Sequence, residues 1–164
     1  MNIRRCTEQD FPELLVVIND GAQAYKGVIP ADSWHEPYFP KDYLEAEIAA
    51  GVRFWGCEID GELAGVMGIQ DRGEVNLIRH AYVRSAHQRR GIGGRLLECL
   101  QGLDSRPILI GTWAAATWAI AFYRRHHYRL LAPKEAEALL RKYWTVSQRQ
   151  SEISVVLASP RWRA

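Results

Sequence analysis

The central part of the sequence contains three consecutive strand-like runs, and these limit the folds that the chain can adopt. The runs cover Arg53–Ile59, Glu62–Gln70 and Glu74–Val83. Asp60-Gly61 separates the first two, and an Asp-Gly pair between two strand-like runs is the strongest short-range signal of a β-hairpin. We therefore predict an antiparallel meander, with helices on both sides of it in the sequence.

Helical periodicity is found before and after this meander. After Gly91, apolar side chains recur on one face of a predicted helix, at Ile92, Leu96, Cys99, Leu100 and Leu103. The remaining predicted helices cover Phe11–Ala24, Lys41–Ala50, Ala115–Arg125 and Pro133–Tyr143, and the remaining predicted strands cover Ile3–Cys6, Ile108–Ile110, Tyr128–Leu131 and Glu152–Leu157. Thr7 to Asp10 has the pattern of a capping box before the first helix.

Length and composition favour one folded domain. The chain has 164 residues, of which 48% are hydrophobic and 24% charged, proportions typical of a globular protein rather than a disordered one. No repeat, low-complexity tract or linker-like segment divides the sequence. We therefore predict a single α/β domain over residues 1–164.

Charge and cysteine content favour a soluble cytoplasmic protein. With 21 Lys and Arg against 19 Asp and Glu, the net charge is only +2, so the overall field cannot drive nonspecific binding to nucleic acid or to a membrane. Cys6, Cys57 and Cys99 are far apart in the sequence, as is common in a reducing cytoplasm. The N-terminus lacks the apolar stretch of a signal peptide, and residues 111–122 are too short a run to span a bilayer.

The run Gln88–Gly94 has the features of an anion-binding loop. It reads Gln-Arg-Arg-Gly-Ile-Gly-Gly and joins the end of a predicted strand to the beginning of a predicted helix. A helix N-terminus offers unpaired N–H groups and a partial positive charge, and glycines let a phosphate approach the backbone. Positive charge is added locally by Arg84, Arg89, Arg90 and Arg95.

Two common glycine-rich motifs do not fit this run. The dinucleotide-binding fingerprint requires a third glycine at the position of Leu96, and the P-loop requires a Gly-Lys pair followed by Ser or Thr. What the run resembles is the [Gln/Arg]-x-x-G-x-[Gly/Ala] signature of the N-acetyltransferase superfamily known as GNAT. Ala119–Tyr123 resembles the second recurring string of that superfamily, which ends in Phe-Tyr, and the order of predicted elements is similar over essentially the whole chain.

The resemblance implies a GNAT-like fold and an N-acetyltransferase activity. The fold would be a mixed, mostly antiparallel sheet of about six or seven strands, flanked by helices and splayed at the cofactor slot. The reaction would move an acetyl group from acetyl-CoA to a primary amine by direct attack in a ternary complex, without a metal ion. The acceptor would be the amine of a small molecule or a peptide.

The resemblance also implies roles for individual residues. The CoA pyrophosphate would be held by the backbone amides of the loop and by the Gln88 side chain. The cofactor-binding residues of the loop would be Gln88, Arg89, Arg90, Gly91, Ile92, Gly93 and Gly94. The backbone of Tyr82 and Val83 would pair with the pantetheine arm, and Tyr123 would protonate the leaving thiolate. Two positions depart from the usual pattern: Ala116 replaces a common asparagine, and His127-Tyr128 replaces a Gly-Phe pair, so that turn has to accept a side chain.

A base is also needed, because a lysine-like amine has a pKa near 10.4 and attacks only in its neutral form. His80 and Glu74 are the titratable candidates on the third strand of the meander. His80 suits this role best, because its unperturbed pKa of about 6.5 lets it accept a proton at neutral pH. Strict alternation places His80 on the same strand face as Tyr82, and a β-bulge would reverse that.

Other function classes remain open at this stage. A noncatalytic acyl-CoA-binding sensor or interaction module would have the same loop. A nucleic-acid binder using the arginine cluster is disfavoured by the near-neutral charge and by the lack of an aromatic-basic pattern. We expect no nucleic-acid or membrane partner, and the final strand and the Pro133–Tyr143 helix offer surfaces for a homodimer.

Overall fold

Seven strands and six α-helices follow one another along residues 1–164, all of which the computed structural model describes. The strands are β1 (Asn2–Arg5), β2 (Val52–Ile59), β3 (Glu62–Asp71), β4 (Asn76–Val83), β5 (Ile108–Trp113), β6 (Arg129–Leu130) and β7 (Ser154–Ala158). The helices are α1 (Phe11–Ala22), α2 (Lys41–Ala49), α3 (Ile92–Gln101), α4 (Thr117–Arg125), α5 (Pro133–Tyr143) and α6 (Gln148–Glu152). The predicted mixed α/β class and the expected number of strands are confirmed.

The elements form two compact units. The first comprises Met1–Asp71 and Ile78–Asp104, and the second comprises Arg72–Leu77 and Ser105–Ala164. The prediction of a single domain over residues 1–164 stays a prediction.

The first unit contains β1, β2, β3 and β4 from Ile78 onward, which make up most of the predicted meander. β1 pairs antiparallel with β2, which pairs antiparallel with β3, and β4 lies beside β3. Asp60 and Gly61 connect β2 to β3 with φ angles of +52° and +85°. Both values are positive, as the type I′ hairpin turn requires, so the Asp-Gly prediction is confirmed.

A capping box precedes α1, as its sequence pattern predicts. The backbone N–H of Thr7 donates to Asp10 Oδ2 at 2.7 Å, and the N–H of Asp10 donates to the Thr7 carbonyl at 3.1 Å. Arg4 donates two further hydrogen bonds to the same carboxylate, and these lower the pKa of Asp10 to about 2. The entry to α1 is thereby attached to β1, because Arg4 belongs to that strand.

Each unit has its own apolar core. In the first, α1 and α2 pack against β2 and β3, and the buried members are Leu14, Val17, Ile18, Phe39, Leu44, Val52, Phe54, Leu63 and Val66. In the second, α5 packs against β5 and β7 around Leu139, Leu140, Leu109 and Val156. Burial of such side chains contributes roughly 1.5–3 kcal/mol each, so α1, α2 and α5 are held mainly by their apolar faces.

The end of the chain differs from its prediction. The last strand was expected to begin at Glu152, whereas Gln148–Glu152 forms the short helix α6 and β7 begins at Ser154. Ser147 caps α6 by accepting a hydrogen bond from the Gln150 N–H at 3.1 Å. None of the six helices has the length and apolar composition that crossing a bilayer requires.

Candidate active site

The Gln88–Gly94 run connects β4 to α3 through a left-handed backbone. Arg89 has a φ of +62° and Gly91, the N-cap of α3, has a φ of +77°. The N–H of Arg95 donates to the Gly91 carbonyl at 3.1 Å, which closes the first turn of the helix. The earlier amides of α3, those of Ile92, Gly93 and Gly94, therefore have no acceptor within the helix. The predicted strand-to-helix position of this loop is confirmed.

The arginines around this loop fall into two groups. Arg89, Arg90 and Arg95 are exposed, so their positive charge is accessible to an anion from solvent, and Arg90 Nη1 lies 3.4 Å from His87 Nδ1. Arg84, which the sequence also placed among the cationic residues of the loop, is held within the first unit instead. Its Nε donates to the Leu63 carbonyl at 2.6 Å, and its guanidinium pairs with Glu13 at 3.2 Å.

The end of β4 and the beginning of α3 pack closely on β3. A Cβ atom at Gly65 would lie 2.7 Å from a methyl group of Ile92 and 3.2 Å from a methyl group of Val83. Pairing with β3 continues beyond β4, since the Arg84 N–H donates to the Ala64 carbonyl at 2.9 Å. Gln88 Nε2 donates to the Val83 carbonyl at 3.4 Å, so its side chain turns back towards the strand. These contacts set the direction in which the loop leaves β4.

Tyr82, whose backbone is expected to bind the pantetheine arm, has a partly buried side chain that packs against the core of the first unit. Its ring meets the ring of Tyr25 edge-on at 6.2 Å. Burial, with Tyr25 and Tyr38 nearby, raises the pKa of Tyr82 well above its usual value. A Cβ at Gly21 of α1 would lie 2.9 Å from the Tyr82 Cβ, so glycine is required for α1 to pack at this distance from β4.

His80 lies at an irregularity of β4. Its φ is +56°, a left-handed value that is uncommon for a residue other than glycine. Regular alternation therefore does not hold at this position. The imidazole Nε2 is 2.5 Å from Glu47 Oε2, and the ring meets Phe39 edge-on at 4.7 Å. Burial lowers the pKa of His80, while the hydrogen bond to Glu47 acts in the opposite direction.

Glu74, the other candidate base, is occupied by contacts within the second unit. Its exposed carboxylate accepts hydrogen bonds from Lys142 at 2.9 Å and from the Tyr143 hydroxyl at 2.8 Å, and these lower its pKa. A carboxylate held by two donors at the surface is a poor proton acceptor, because the charged form is already stabilised. His80 is therefore the better supported of the two candidates.

Tyr123, the candidate general acid, lies on α4 in the second unit. It is 5% exposed, and its ring is 5.9 Å from that of Tyr128. Backbone hydrogen bonds hold Tyr128 next to Tyr123. The Tyr128 N–H donates to the Tyr123 carbonyl at 3.1 Å, and the His127 N–H donates to the Arg124 carbonyl at 3.0 Å. These two bonds form a Schellman motif at the end of α4.

His127 occupies the position in that motif where glycine is usual. Its φ is +68°, so the turn accepts a side chain at the cost of a left-handed backbone. We expect His127→Gly to raise the free energy of unfolding by about 0.5–1 kcal/mol, because glycine adopts this conformation without steric strain. Urea unfolding measures the change. The control is His126→Gly, where φ is −95° and glycine should lower stability; equal effects of the two variants would contradict the prediction.

Glu47 is a residue that the sequence reasoning missed. It is 9% exposed and belongs to α2, where it lies three residues after the buried Leu44. Residues three apart share a helix face, so the spacing from Leu44 was the available signal that this carboxylate is buried. No group of three or more His, Cys, Asp or Glu side chains in the chain could hold a metal ion.

Comparisons with known proteins agree with this fold. Residues 50–130 match the family model described as Acetyltransferase (GNAT) domain. No curated protein matches the sequence. Among solved structures, an acetyltransferase of the GNAT family from Staphylococcus aureus Mu50 is similar, with 16% identity, a TM-score of 0.69 and coverage of 96% of this chain and 97% of that chain.

Two similar structures contain a form of coenzyme A. One is PaiA N-acetyltransferase from Thermoplasma acidophilum in complex with coenzyme A, with 15% identity, a TM-score of 0.72 and coverage of 96% of this chain and 97% of that chain. The other is a GNAT family acetyltransferase from Elizabethkingia anophelis with acetyl-CoA bound, with 16% identity, a TM-score of 0.63 and 96% coverage of both chains. At these identities the similarity shows a shared fold.

Proposed function

We propose that this chain, a member of the GNAT acetyltransferase family through residues 50–130, transfers an acetyl group from acetyl-CoA to a primary amine. The observation that carries the proposal is the N-terminus of α3, where amides without an intrahelical acceptor are flanked by three exposed arginines, Arg89 and Arg90 before them and Arg95 after them. Two proteins of this fold hold coenzyme A or acetyl-CoA. The acceptor would be an amine of a small molecule or a peptide.

The residues of the loop fit a pyrophosphate. An added Cβ at Gly91 would meet nothing within 4 Å, so the N-cap of α3 is open on the side where its missing side chain would lie. The helix N-terminus carries a partial positive charge, and the exposed Arg89, Arg90 and Arg95 add full positive charges. In this proposal the amides from Arg89 to Gly94 hold the pyrophosphate, and the backbone of Tyr82 and Val83 holds the pantetheine arm.

Acetyl-CoA supplies the acetyl group as a thioester, which a neutral amine can attack. His80 takes the proton of the amine, since its lowered pKa leaves the imidazole neutral at neutral pH. A backbone N–H at the end of β4 donates to the carbonyl oxygen as negative charge develops there, which lowers the barrier. Tyr123 gives its phenolic proton to the sulfur as the carbon–sulfur bond breaks.

Nucleotide binding is the first test of this proposal. We expect CoA and acetyl-CoA to raise the melting temperature, because a ligand present at 100 times its Kd stabilises the folded state by about 2.7 kcal/mol. The double variant Arg89→Gln/Arg90→Gln should weaken CoA binding about tenfold, which corresponds to a loss of about 1.4 kcal/mol of binding free energy. Its matched control is Arg5→Gln/Arg53→Gln, which removes two exposed charges elsewhere in the first unit. If neither nucleotide stabilises the protein at millimolar concentration, the cofactor assignment is wrong.

Turnover separates an enzyme from a noncatalytic acyl-CoA-binding module. Release of free thiol from acetyl-CoA is followed over a panel of primary amines that includes aminoalkyl metabolites, peptide N-termini and lysine side chains. We expect thiol release that depends on the amine and yields an amide detectable by mass spectrometry. Nucleotide binding without amide formation on any of these acceptors would favour the binding module.

A further inference from the structure

We propose that Glu47 positions His80 as the base of this reaction. The inference rests on the proposed function and deepens it, because it assigns a role to a buried carboxylate that the family signature does not include. Glu47 belongs to α2 and His80 to β4, so two separate elements of the first unit meet at this pair. The imidazole Nε2 lies 2.5 Å from Glu47 Oε2.

The pair is shielded from water. The side chains of His80 and Glu47 are 12% and 11% exposed. The imidazole is enclosed by aromatic rings, with centroid distances of 4.7 Å to Phe39, 6.0 Å to Tyr43 and 6.2 Å to Phe54. In such surroundings a hydrogen bond to a carboxylate is stronger than in water and restricts the ring to one orientation.

Arg79 is a second partner of the same carboxylate oxygen. Arg79 Nη2 lies 2.8 Å from Glu47 Oε2, and Arg79 Nη1 donates to Gln70 Oε1 at 3.0 Å. Gln70 Nε2 in turn donates to the Ala50 carbonyl at 2.9 Å, which follows the last turn of α2. The network therefore ends on α2, the helix that carries Glu47. It restricts the position of the Glu47 carboxylate relative to β4.

This arrangement determines which nitrogen of His80 can accept a proton. Glu47 is ionised: burial acts to raise its pKa, and the hydrogen bond from His80 and the charge of Arg79 together lower it. An ionised carboxylate accepts hydrogen bonds only, so Nε2 must carry the proton and the lone pair lies on Nδ1. The proton of the attacking amine moves to Nδ1, and Glu47 stabilises the imidazolium that results.

The charges around His80 also set the strength of this base. Glu47 faces it from α2 and raises its proton affinity, while Arg79 on its own strand lowers it, and Tyr43 on α2 is the other titratable group near the ring. Burial raises the pKa of Tyr43, so that hydroxyl stays neutral. Burial, together with the charge of Arg79, lowers the pKa of His80 and opposes the effect of Glu47, so the carboxylate can orient the imidazole without keeping it protonated at neutral pH.

The backbone at His80 is consistent with a functional position. Its φ of +56° places the residue in the left-handed region, which is strained for a residue that is not glycine. Such conformations persist where the surrounding contacts hold them, and the hydrogen bond to Glu47 is a contact of this kind.

The test compares Glu47→Gln with Glu45→Gln. Glutamine retains an oxygen that can accept from both His80 and Arg79, so the first variant removes the charge while conserving the shape. Glu45 is on the same helix, is 57% exposed and pairs with Lys41 at 3.8 Å, so the second variant removes an equal charge away from His80. The assay measures amide formation over a pH range with acetyl-CoA and the best amine of the panel.

In Glu47→Gln we expect kcat to fall about tenfold, with the KM for acetyl-CoA unchanged, because general-base catalysis contributes 100-fold or more and loses efficiency with an unsupported base. The acid limb of the kcat/KM profile should move about one pH unit lower, since loss of the carboxylate charge lowers the pKa of His80. Glu45→Gln should match the wild type in both respects. A purely structural Glu47 would lower the melting temperature and leave the acid limb unchanged, and that result would overturn the inference.

A second measurement needs no variant. Nitrogen-15 NMR of the imidazole resonances should show neutral His80 protonated on Nε2, and a neutral ring protonated on Nδ1 would contradict the inference. Failure of the proposed function is a different outcome. A wild-type protein that acetylates no amine rejects the reaction and Glu47's catalytic role together, whereas an active wild type with an equally active Glu47→Gln rejects only the role of Glu47.

Discussion

Replacement of Gly68 by alanine is expected to lower the free energy of unfolding by about 2–3 kcal/mol, the cost of overpacking a filled interior. A Cβ at this position of β3 would lie 2.7 Å from the carbonyl oxygen of Arg79 and 2.9 Å from a methyl group of Val52. The Arg79 oxygen belongs to the backbone of β4, which cannot move aside as a flexible side chain can. The strands therefore have to separate, or β4 has to shift next to His80.

Local propensity predicts the opposite sign for this substitution. Glycine inside a strand is destabilising relative to alanine by roughly 0.5–1 kcal/mol, so alanine would be favoured if Gly68 had free space around it. The close approach to Arg79 outweighs that gain. Urea unfolding gives the difference, and Gly102→Ala at the end of α3 is the matched control, since its Cβ would meet nothing closer than 3.4 Å. A Gly68→Ala protein as stable as the control would show that β3 and β4 are not packed as described.

The parts of the fold that could be predicted from the sequence are those specified by a few consecutive residues. The β2–β3 hairpin depends on the backbone freedom of two adjacent residues, Asp60 and Gly61, and the turn is specified locally. Helix α5 was predicted with its observed bounds, because Pro133 begins it and its apolar spacing is regular. In both cases the information lies within a few consecutive residues.

The irregularity at His80 could not be predicted in this way. A left-handed histidine is not indicated by its residue type, in contrast to the left-handed Gly91 at the N-cap of α3. It depends on the close passage of β4 over Gly68 and on a carboxylate from α2, which are distant in the sequence. Helix α6 was missed for a related reason, because its cap at Ser147 and the bond from Ser154 Oγ to the Gln150 carbonyl act without any apolar periodicity.

The candidate site was predicted in part. The Gln88–Gly94 loop lies at the beginning of α3 as expected, because glycine content and strand-to-helix position are both local features. The sequence did not indicate that Arg84 is held in an ion pair while the other arginines of the loop are exposed. Arg84 binds Glu13, which is far from it in sequence. The cofactor contacts of the loop, the splaying of the strands and the roles of Tyr82, Val83, His80 and Tyr123 stay predictions.

Among these roles, that of Tyr123 has the largest expected effect. Tyr123→Phe should lower kcat about 100-fold, the lower end of the contribution of general-acid catalysis, because the thiolate would leave without a proton donor. The ring is retained, so its packing against Tyr128 at 5.9 Å is conserved. CoA binding, measured by thermal shift, should be the same as in the wild type, since the phenolic proton acts only when the carbon–sulfur bond breaks.

The control for this variant is Tyr128→Phe. It removes the same hydroxyl group from a neighbouring ring that is also buried, at 3% exposure, and it belongs to the same Schellman motif. If both variants lost activity equally, the loss would reflect the packing of this end of α4 rather than proton donation. Tyr123→Phe with wild-type kcat at every pH would exclude Tyr123 as the acid and leave acetyl transfer itself intact, because water can then protonate the thiolate. Selective loss in Tyr123→Phe, with unchanged CoA binding, is the result that separates catalysis from structure at this position.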